Sequence, residues 1–160
     1  DMVLVDMGGT LQGYCSDITR TYVFGTPTPR QRQLWELERQ AQAASFAAAR
    51  IGASCASVDA AARKVFTDAG FGPGYQVPGL PHRTGHGLGL DIHEAPFIVG
   101  GNSTLLEAGM CFSIEPMLCV YGECGVRLED IVYMTQSGPR WFVPPAERLD
   151  DPFGATEIGT

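Results

Sequence analysis

A chain of 160 residues fits one domain, and a 44% hydrophobic content with 20 Gly and 11 Pro allows a sizeable core crossed by many turns. The net charge of −7 and a pI near 4.8 argue against a nucleic-acid binder, which needs a basic face. No 18-residue apolar run signals a membrane span, and no charged-then-apolar leader opens the sequence. The five cysteines form an odd set without a CxxC pair, so reduced thiols and a cytoplasmic protein are expected rather than a structural zinc site.

The sequence enters an apolar run at once, Asp1-Met-Val-Leu-Val-Asp6, and reads as N-terminally truncated. Residues 2–7 predict a short buried strand. Thr10–Ser16 predicts a turn, and the alternating Asp17–Phe24 run predicts a second strand paired with the first as a hairpin. Thr28 and Pro29 mark a helix start, and Leu34, Leu37, Ala41, Ala44, Ala48 and Ile51 recur at helical spacing until Gly52. A second helix is expected over Val58–Ala69, capped by Ser57 and stopped by Gly70. Both helices are expected to cover a sheet and to carry ordinary packing residues and a solvated face.

Phe71–Pro81 is a Gly/Pro loop, and Gly100-Gly101 marks a further turn. Ala108–Val120 predicts a largely buried strand interrupted near Pro116, because proline removes a ladder donor. Tyr121–Gly125 predicts a turn, Val126–Met134 another strand, and Trp141–Val143 a last short one. From Pro144 onward turn and tail are expected, with the final ten residues frayed.

All three histidines of the chain fall within twelve positions, His82-Arg-Thr-Gly-His86-Gly-Leu-Gly-Leu-Asp91-Ile-His93. Imidazole is the commonest metal ligand and titrates near neutrality. Four carboxylates stand out beside it: Asp6 and Asp17 on the first strand pair, Glu115 between Ile114 and Met117, and Glu129 between Leu128 and Ile131. A carboxylate inside an apolar strand is costly unless paired or metal-bound. Arg20 and Arg127 are the local cations that could neutralise them. Oxygen-rich ligands with one imidazole suit Mn²⁺, Co²⁺, Zn²⁺ or Fe²⁺. Four negative charges are balanced by two divalent ions, with a bridging hydroxide, better than by one. Paired metals lower the pKa of a bridging water and polarise the bond it attacks.

Asp6, Asp17 eleven residues later, His86, Glu115 and Glu129 follow in an order that resembles the dinuclear metallopeptidases of the pita-bread fold. That family includes methionine aminopeptidases, aminopeptidase P and Xaa-Pro dipeptidases (prolidases). The segments carrying the resemblance are Val5-Asp6-Met-Gly-Gly, Ser16-Asp17-Ile-Thr-Arg-Thr, His82–Glu94, Gly109–Pro116 and Gly125–Asp130, within residues 2–134. The resemblance implies an α+β pita-bread fold, a curved and mostly antiparallel sheet covered by helices. Residues 1–160 would be part of a catalytic domain, with its upstream portion and any N-terminal domain outside the sequence.

The resemblance also implies roles. Asp6 would hold one metal, Asp17 and Glu129 would bridge two, and His86 and Glu115 would hold the other, with Mn²⁺ as first choice. Glu115 would move a proton to the leaving amine. His82 and His93 would be catalytic residues on the substrate side, steadying the scissile carbonyl or the tetrahedral intermediate. Arg127 would orient carboxylates, and Asp91 and Asp130 would support the site or the fold. The Arg127-Leu-Glu129-Asp130 strand and the fourteen-residue Glu115–Glu129 interval resemble compact prokaryotic Xaa-Pro dipeptidases. The implied reaction is hydrolysis of Xaa-Pro dipeptides by a metal-bridging hydroxide, in a protein that is a homodimer at full length and has no nucleic-acid or membrane partner.

Aminopeptidase P, which removes the residue before proline in longer peptides, is the neighbouring reading. A non-catalytic pita-bread binding module and a metal-free hydrolase of the creatinase type typically lack ligands that are all filled here. A single-metal oxygenase leaves three buried acids unexplained.

Overall fold

The computed structural model describes residues 1–154. Two strands, β1 (Met2–Leu11) and β2 (Tyr14–Val23), pair antiparallel from Met2↔Val23 to Leu11↔Tyr14. Gln12 and Gly13 between them both take positive φ, 52° and 87°, the combination that a two-residue type I′ hairpin requires. The strands therefore run further than expected, and the turn shrinks to two residues. β1 is not buried. It is an edge strand whose ladder partner among the described residues is β2, and Leu4, Met7 and Leu11 are exposed.

Helix α1 (Pro29–Ala48) starts on a complete capping box between Thr28 and Gln31. It stops before the expected end, so Ile51 lies exposed in the following turn. Helix α2 (Cys55–Asp68) begins earlier than expected. Ser54 is the cap, accepting from the Ser57 backbone, while the Ser57 hydroxyl donates back to the Ser54 carbonyl. The helices pack against each other and cover the sheets, as expected. They also carry buried polar residues that the sequence reading took for ordinary packing: Glu38, Gln42, Ser45 and Asp59.

The remaining strands are β3 (Gly85–Gly87), β4 (Glu94–Ile98), β5 (Cys111–Ile114), β6 (Met117–Val120), β7 (Cys124–Arg127), β8 (Asp130–Thr135) and β9 (Gly138–Trp141). They form an antiparallel five-stranded sheet in the order β4-β3-β5-β8-β9 and a separate β6–β7 ribbon. Pro116 breaks the Ala108–Val120 run as predicted, and the two halves join different sheets. The Val126–Met134 run, expected as one strand, also breaks, at Leu128-Glu129. β9 begins three residues earlier than predicted, at Gly138, and ends at Trp141.

One core lies between α1, α2 and the β6–β7 ribbon, around Leu34, Phe66, Leu118 and Leu128. The other lies beneath the five-stranded sheet, around Val58, Ile98, Phe112, Ile114 and Val132. Each such fully buried side chain contributes roughly 1.5–3 kcal/mol. The segment after Pro144 is more than a tail. Ala146 and Leu149 enter the first core, and the Pro152 carbonyl accepts from Arg20 Nε at 2.9 Å. The fraying expected for the final ten residues falls partly on residues 155–160, outside the described residues.

Candidate metal centre

An isolated bridge ties the hairpin to the sheet side. Thr19 and Glu129 exchange backbone hydrogen bonds at 3.3 and 3.1 Å, and the Thr19 hydroxyl donates to Glu129 Oε2 at 2.6 Å. Alternation along β2 puts Asp17, Thr19 and Thr21 on one face, and the β1 register places Asp6 opposite Thr19. Two carboxylates thus come from the hairpin. Glu115 and Glu129 come from the two breaks where β5 hands over to β6 and β7 to β8.

His86 lies at the centre of this group, 2% exposed. It sits on β3 between two glycines because the neighbouring backbone leaves no room for a Cβ: at Gly85 it would strike the Ser113 carbonyl, at Gly87 the Ala95 carbonyl. His86 Nδ1 is 3.0 Å from the Gly87 carbonyl, which fixes that nitrogen as the donor. Nε2 then faces three carboxylates, Glu115 at 3.0 Å, Asp17 at 3.8 Å and Glu129 at 3.9 Å. Ligand atoms of Asp17, His86 and Glu129 all lie within 4.8 Å of one another.

Asp6 stands at the rim, with its side chain 48% exposed, and is ion-paired to Arg127 Nη2. Arg127 Nε donates to the Thr19 hydroxyl at 3.2 Å and lies 3.9 Å from Glu115. Arg127 thus touches Asp6 and Thr19 of the hairpin and lies near Glu115 of the sheet side. Arg20 does not neutralise this cluster. It pairs with buried Asp130 at 2.7 Å, with Gln42 of α1 donating to the other Asp130 oxygen at 3.0 Å. Asp130 is thus a weld between hairpin, sheet and helix, and Asp91 is exposed and bonded through its backbone.

His93 is exposed, its ring edge-on to that of His86 with centroids 4.2 Å apart. His82 is half-buried. Its Nδ1 is tied to the Arg83 carbonyl, and its buried Nε2 has no hydrogen-bond partner among the described residues.

The electrostatics report too much negative charge in too little water. Burial, and then the Glu115 carboxylate, push Glu129 up to about 8. Burial and then Asp6 raise Asp17. Burial opposes charge on His86, but the Glu115 hydrogen bond, the Gly87 carbonyl and the Glu115 and Glu129 charges together outweigh it and raise the imidazole. Burial likewise opposes charge on Glu115, and the His86 hydrogen bond with the neighbouring His86, His82 and Arg127 charges together lower it. Glu129 Oε1 is buried without a hydrogen-bond partner among the described residues. An orphaned carboxylate oxygen beside an imidazole with its proton fixed on the far nitrogen is a donor set that fits a divalent cation.

A cavity of about 1100 Å³ opens beside the centre, lined by apolar residues such as Leu88, Phe97, Met110 and Phe142. Of the five candidate ligands only Asp17 lines it. Thr19 was missed from the sequence. Its signal was its place two residues after Asp17, on the same strand face.

The chain belongs to metallopeptidase family M24, whose model matches residues 1–136. It is 43% identical over 149 residues to an Xaa-Pro dipeptidase of Lactobacillus delbrueckii subsp. lactis, covering 93% of this chain and 39% of that protein. The crystal structure of dipeptidase PepE from Mycobacterium ulcerans superposes with a TM-score of 0.86 at 46% identity, over 93% of this chain and 39% of that one. Prolidase from Pyrococcus furiosus gives 0.84 at 37% identity, over 92% of this chain and 42% of that one. The chain spans about two fifths of the length of these relatives. The α+β antiparallel architecture expected from the sequence is the one these structures share.

Proposed function

We propose that this chain supplies the metal-binding part of an Xaa-Pro dipeptidase, a longer enzyme of whose catalytic domain residues 1–160 are a portion. The carrying observation is the convergence of Asp17, His86 and Glu129 within 4.8 Å around an orphaned Glu129 oxygen. The dipeptidase relatives, at 43% and 46% identity, support the substrate class.

In this reading Asp6 would hold one divalent ion, His86 and Glu115 would hold a second, and Asp17 and Glu129 would serve both, with Mn²⁺ the first choice over Co²⁺, Zn²⁺ or Fe²⁺. Bound there, the ions would supply a water ionised at neutral pH and polarise the scissile carbonyl. Glu115, already sharing a hydrogen bond with His86, carries the proton to the departing proline nitrogen. His82, whose Nδ1 donates to the Arg83 carbonyl, presents Nε2 as an acceptor on the substrate side, and His93 stands exposed beside His86. Arg127 holds Asp6 and Thr19, so that Asp6 and Glu129 keep their separation. A homodimer and a cytoplasmic setting belong to the same proposal and rest on the family resemblance. Among the described residues no helix is long and apolar enough to cross a membrane.

The test is an assay of the Mn²⁺-loaded full-length enzyme on Ala-Pro against a longer Xaa-Pro peptide. Faster cleavage of Ala-Pro is expected. Equal or faster turnover of the longer peptide moves the assignment to aminopeptidase P.

A further inference from the structure

α2 carries a charged pair at i,i+4, Asp59 and Arg63, whose reach extends well beyond the helix. Every N–H of the Arg63 guanidinium is used. Nε and Nη2 donate to Asp59 at 2.7 and 3.2 Å, Nη1 donates to the carbonyls of Gly74 and Leu80 at 2.6 and 3.1 Å, and Nη2 donates to the carbonyl of His82 at 2.7 Å. Tyr75 closes over the guanidinium, 4.4 Å from its ring centre. Asp59, 1% exposed, accepts in addition from the Thr84 hydroxyl at 2.8 Å and the Thr84 backbone at 3.2 Å. The Thr84 carbonyl accepts from the Glu115 backbone at 2.7 Å.

This is an unbroken polar path from α2 through residues 82–84 to Glu115. It brackets His82. The His82 carbonyl is held by Arg63, its ring by the Arg83 carbonyl, and the Thr84 side chain by Asp59. Among the described residues the buried His82 Nε2 has no hydrogen-bond partner. A plain helix-surface ion pair would be worth a few tenths of a kcal/mol and would fix nothing. Here the planar fork binds three carbonyls in fixed directions, a task that a lysine ammonium cannot reproduce.

We propose that Asp59 and Arg63 are positioning residues for the His82 imidazole and, through Thr84, for Glu115. The proposal deepens the Xaa-Pro peptidase reading and rests on it for the catalytic consequence, but not for the placement of His82. Because His82, His86 and His93 are the only imidazoles in the chain, ring proton–nitrogen spectra of labelled protein report each directly. In Arg63→Lys the charge opposite Asp59 is kept and the melting temperature stays near the parent value, yet the His82 ring signals move while those of His93 stay. In Arg63→Met the same signals move and stability falls. In Tyr75→Ala, which frees only the loop over the guanidinium, they stay in place. His82 signals at parental positions in Arg63→Lys overturn the proposal, and they do so even if Arg63→Met does not fold.

The full-length enzyme provides the second readout. Arg63→Lys should lower kcat by roughly a hundredfold, the cost of a misplaced catalytic group. Displaced His82 signals in Arg63→Lys, with a parent that cleaves no Xaa-Pro peptide, overturn the function and leave the positioning. Cleavage by the parent with His82 undisturbed in Arg63→Lys overturns the positioning and leaves the function.

Discussion

The two halves of the acidic centre are held in opposite ways. His86, Glu115 and Glu129 sit on the sheet side, with side chains 2%, 10% and 2% exposed, above a packed core. Asp6 and Asp17 sit on a hairpin, 48% and 12% exposed, whose outer strand faces solvent. The sheet half is positioned by burial, since its backbone cannot shift without opening the core. The hairpin half is positioned by polar welds: the Thr19–Glu129 bridge, the Arg20–Asp130 pair and Arg127 on Asp6. A site shared between a rigid wall and a pinned flap can be dismantled from either side, and the two routes should leave different traces.

The largest effect is expected at the junction itself. Glu129→Ala removes the contact that the two halves share and should abolish binding of the second Mn²⁺, read by calorimetric titration; two ions still bound per chain would refute its bridging role. Next comes the hairpin weld. Arg20→Met leaves Asp130 buried without its cation and should cost about 3–5 kcal/mol in denaturant unfolding, with hydrogen exchange rising first in β2. If β8 opens before β2, the hairpin is not the weaker half. Arg127→Met acts mainly on the flap, where it removes the contacts to Asp6 and Thr19, and more weakly on Glu115 of the wall. It should weaken Mn²⁺ binding by roughly 10–100-fold, as loss of a supporting contact to a ligand does, with little change in melting temperature.

The smallest effect probes the wall. Glu38 of α1 is fully buried, neither carboxylate oxygen has a hydrogen-bond partner among the described residues, and burial raises its pKa well above the ordinary value despite the nearby Leu128 and Leu118 amides. A carboxyl that holds its proton more tightly when folded stabilises the fold relative to pH only at low pH. That contribution is lost as pH rises above the unfolded value toward the folded one. Glu38→Gln should therefore match the parent at pH 4 and exceed it by on the order of 1–3 kcal/mol at pH 7. A constant difference across that range would contradict the assignment.

Elements governed by local chemistry were legible in the sequence. The Thr28 cap, the glycine-bearing hairpin turn and the break at Pro116 each rest on one or two residues whose backbone preferences decide the outcome. Asp6, Asp17, Glu115 and Glu129 stood out for the same reason, since chemistry singles out a carboxylate among apolar neighbours, whereas their grouping with His86 as a ligand set rested on the family resemblance. What escaped depends on distant partners. Residues 2–7 read as a buried strand by composition, but burial requires a covering element. The break at Leu128-Glu129 has no Gly or Pro to announce it; it arises because Val126 and Val132 are claimed by different cores. The Gly85–Gly87 strand is too short for any periodicity and exists because Ser113 and Ala95 lie against it. Arg63 lies on a helix expected to carry only packing residues and a solvated face, and its loop-carbonyl partners come from 11 to 19 residues further along the chain.

The paired breaks give the β6–β7 ribbon a particular standing. Glu115 precedes the ribbon and Glu129 follows it, so the ribbon is an excursion that leaves the centre and returns to it. Its tip, Tyr121-Gly122-Glu123, is exposed. Chain length at that tip is consequently decoupled from ligand spacing. Residues inserted there lengthen the arm while both carboxylates keep their anchors, which makes it the natural place to append a reporter or let a lineage elaborate.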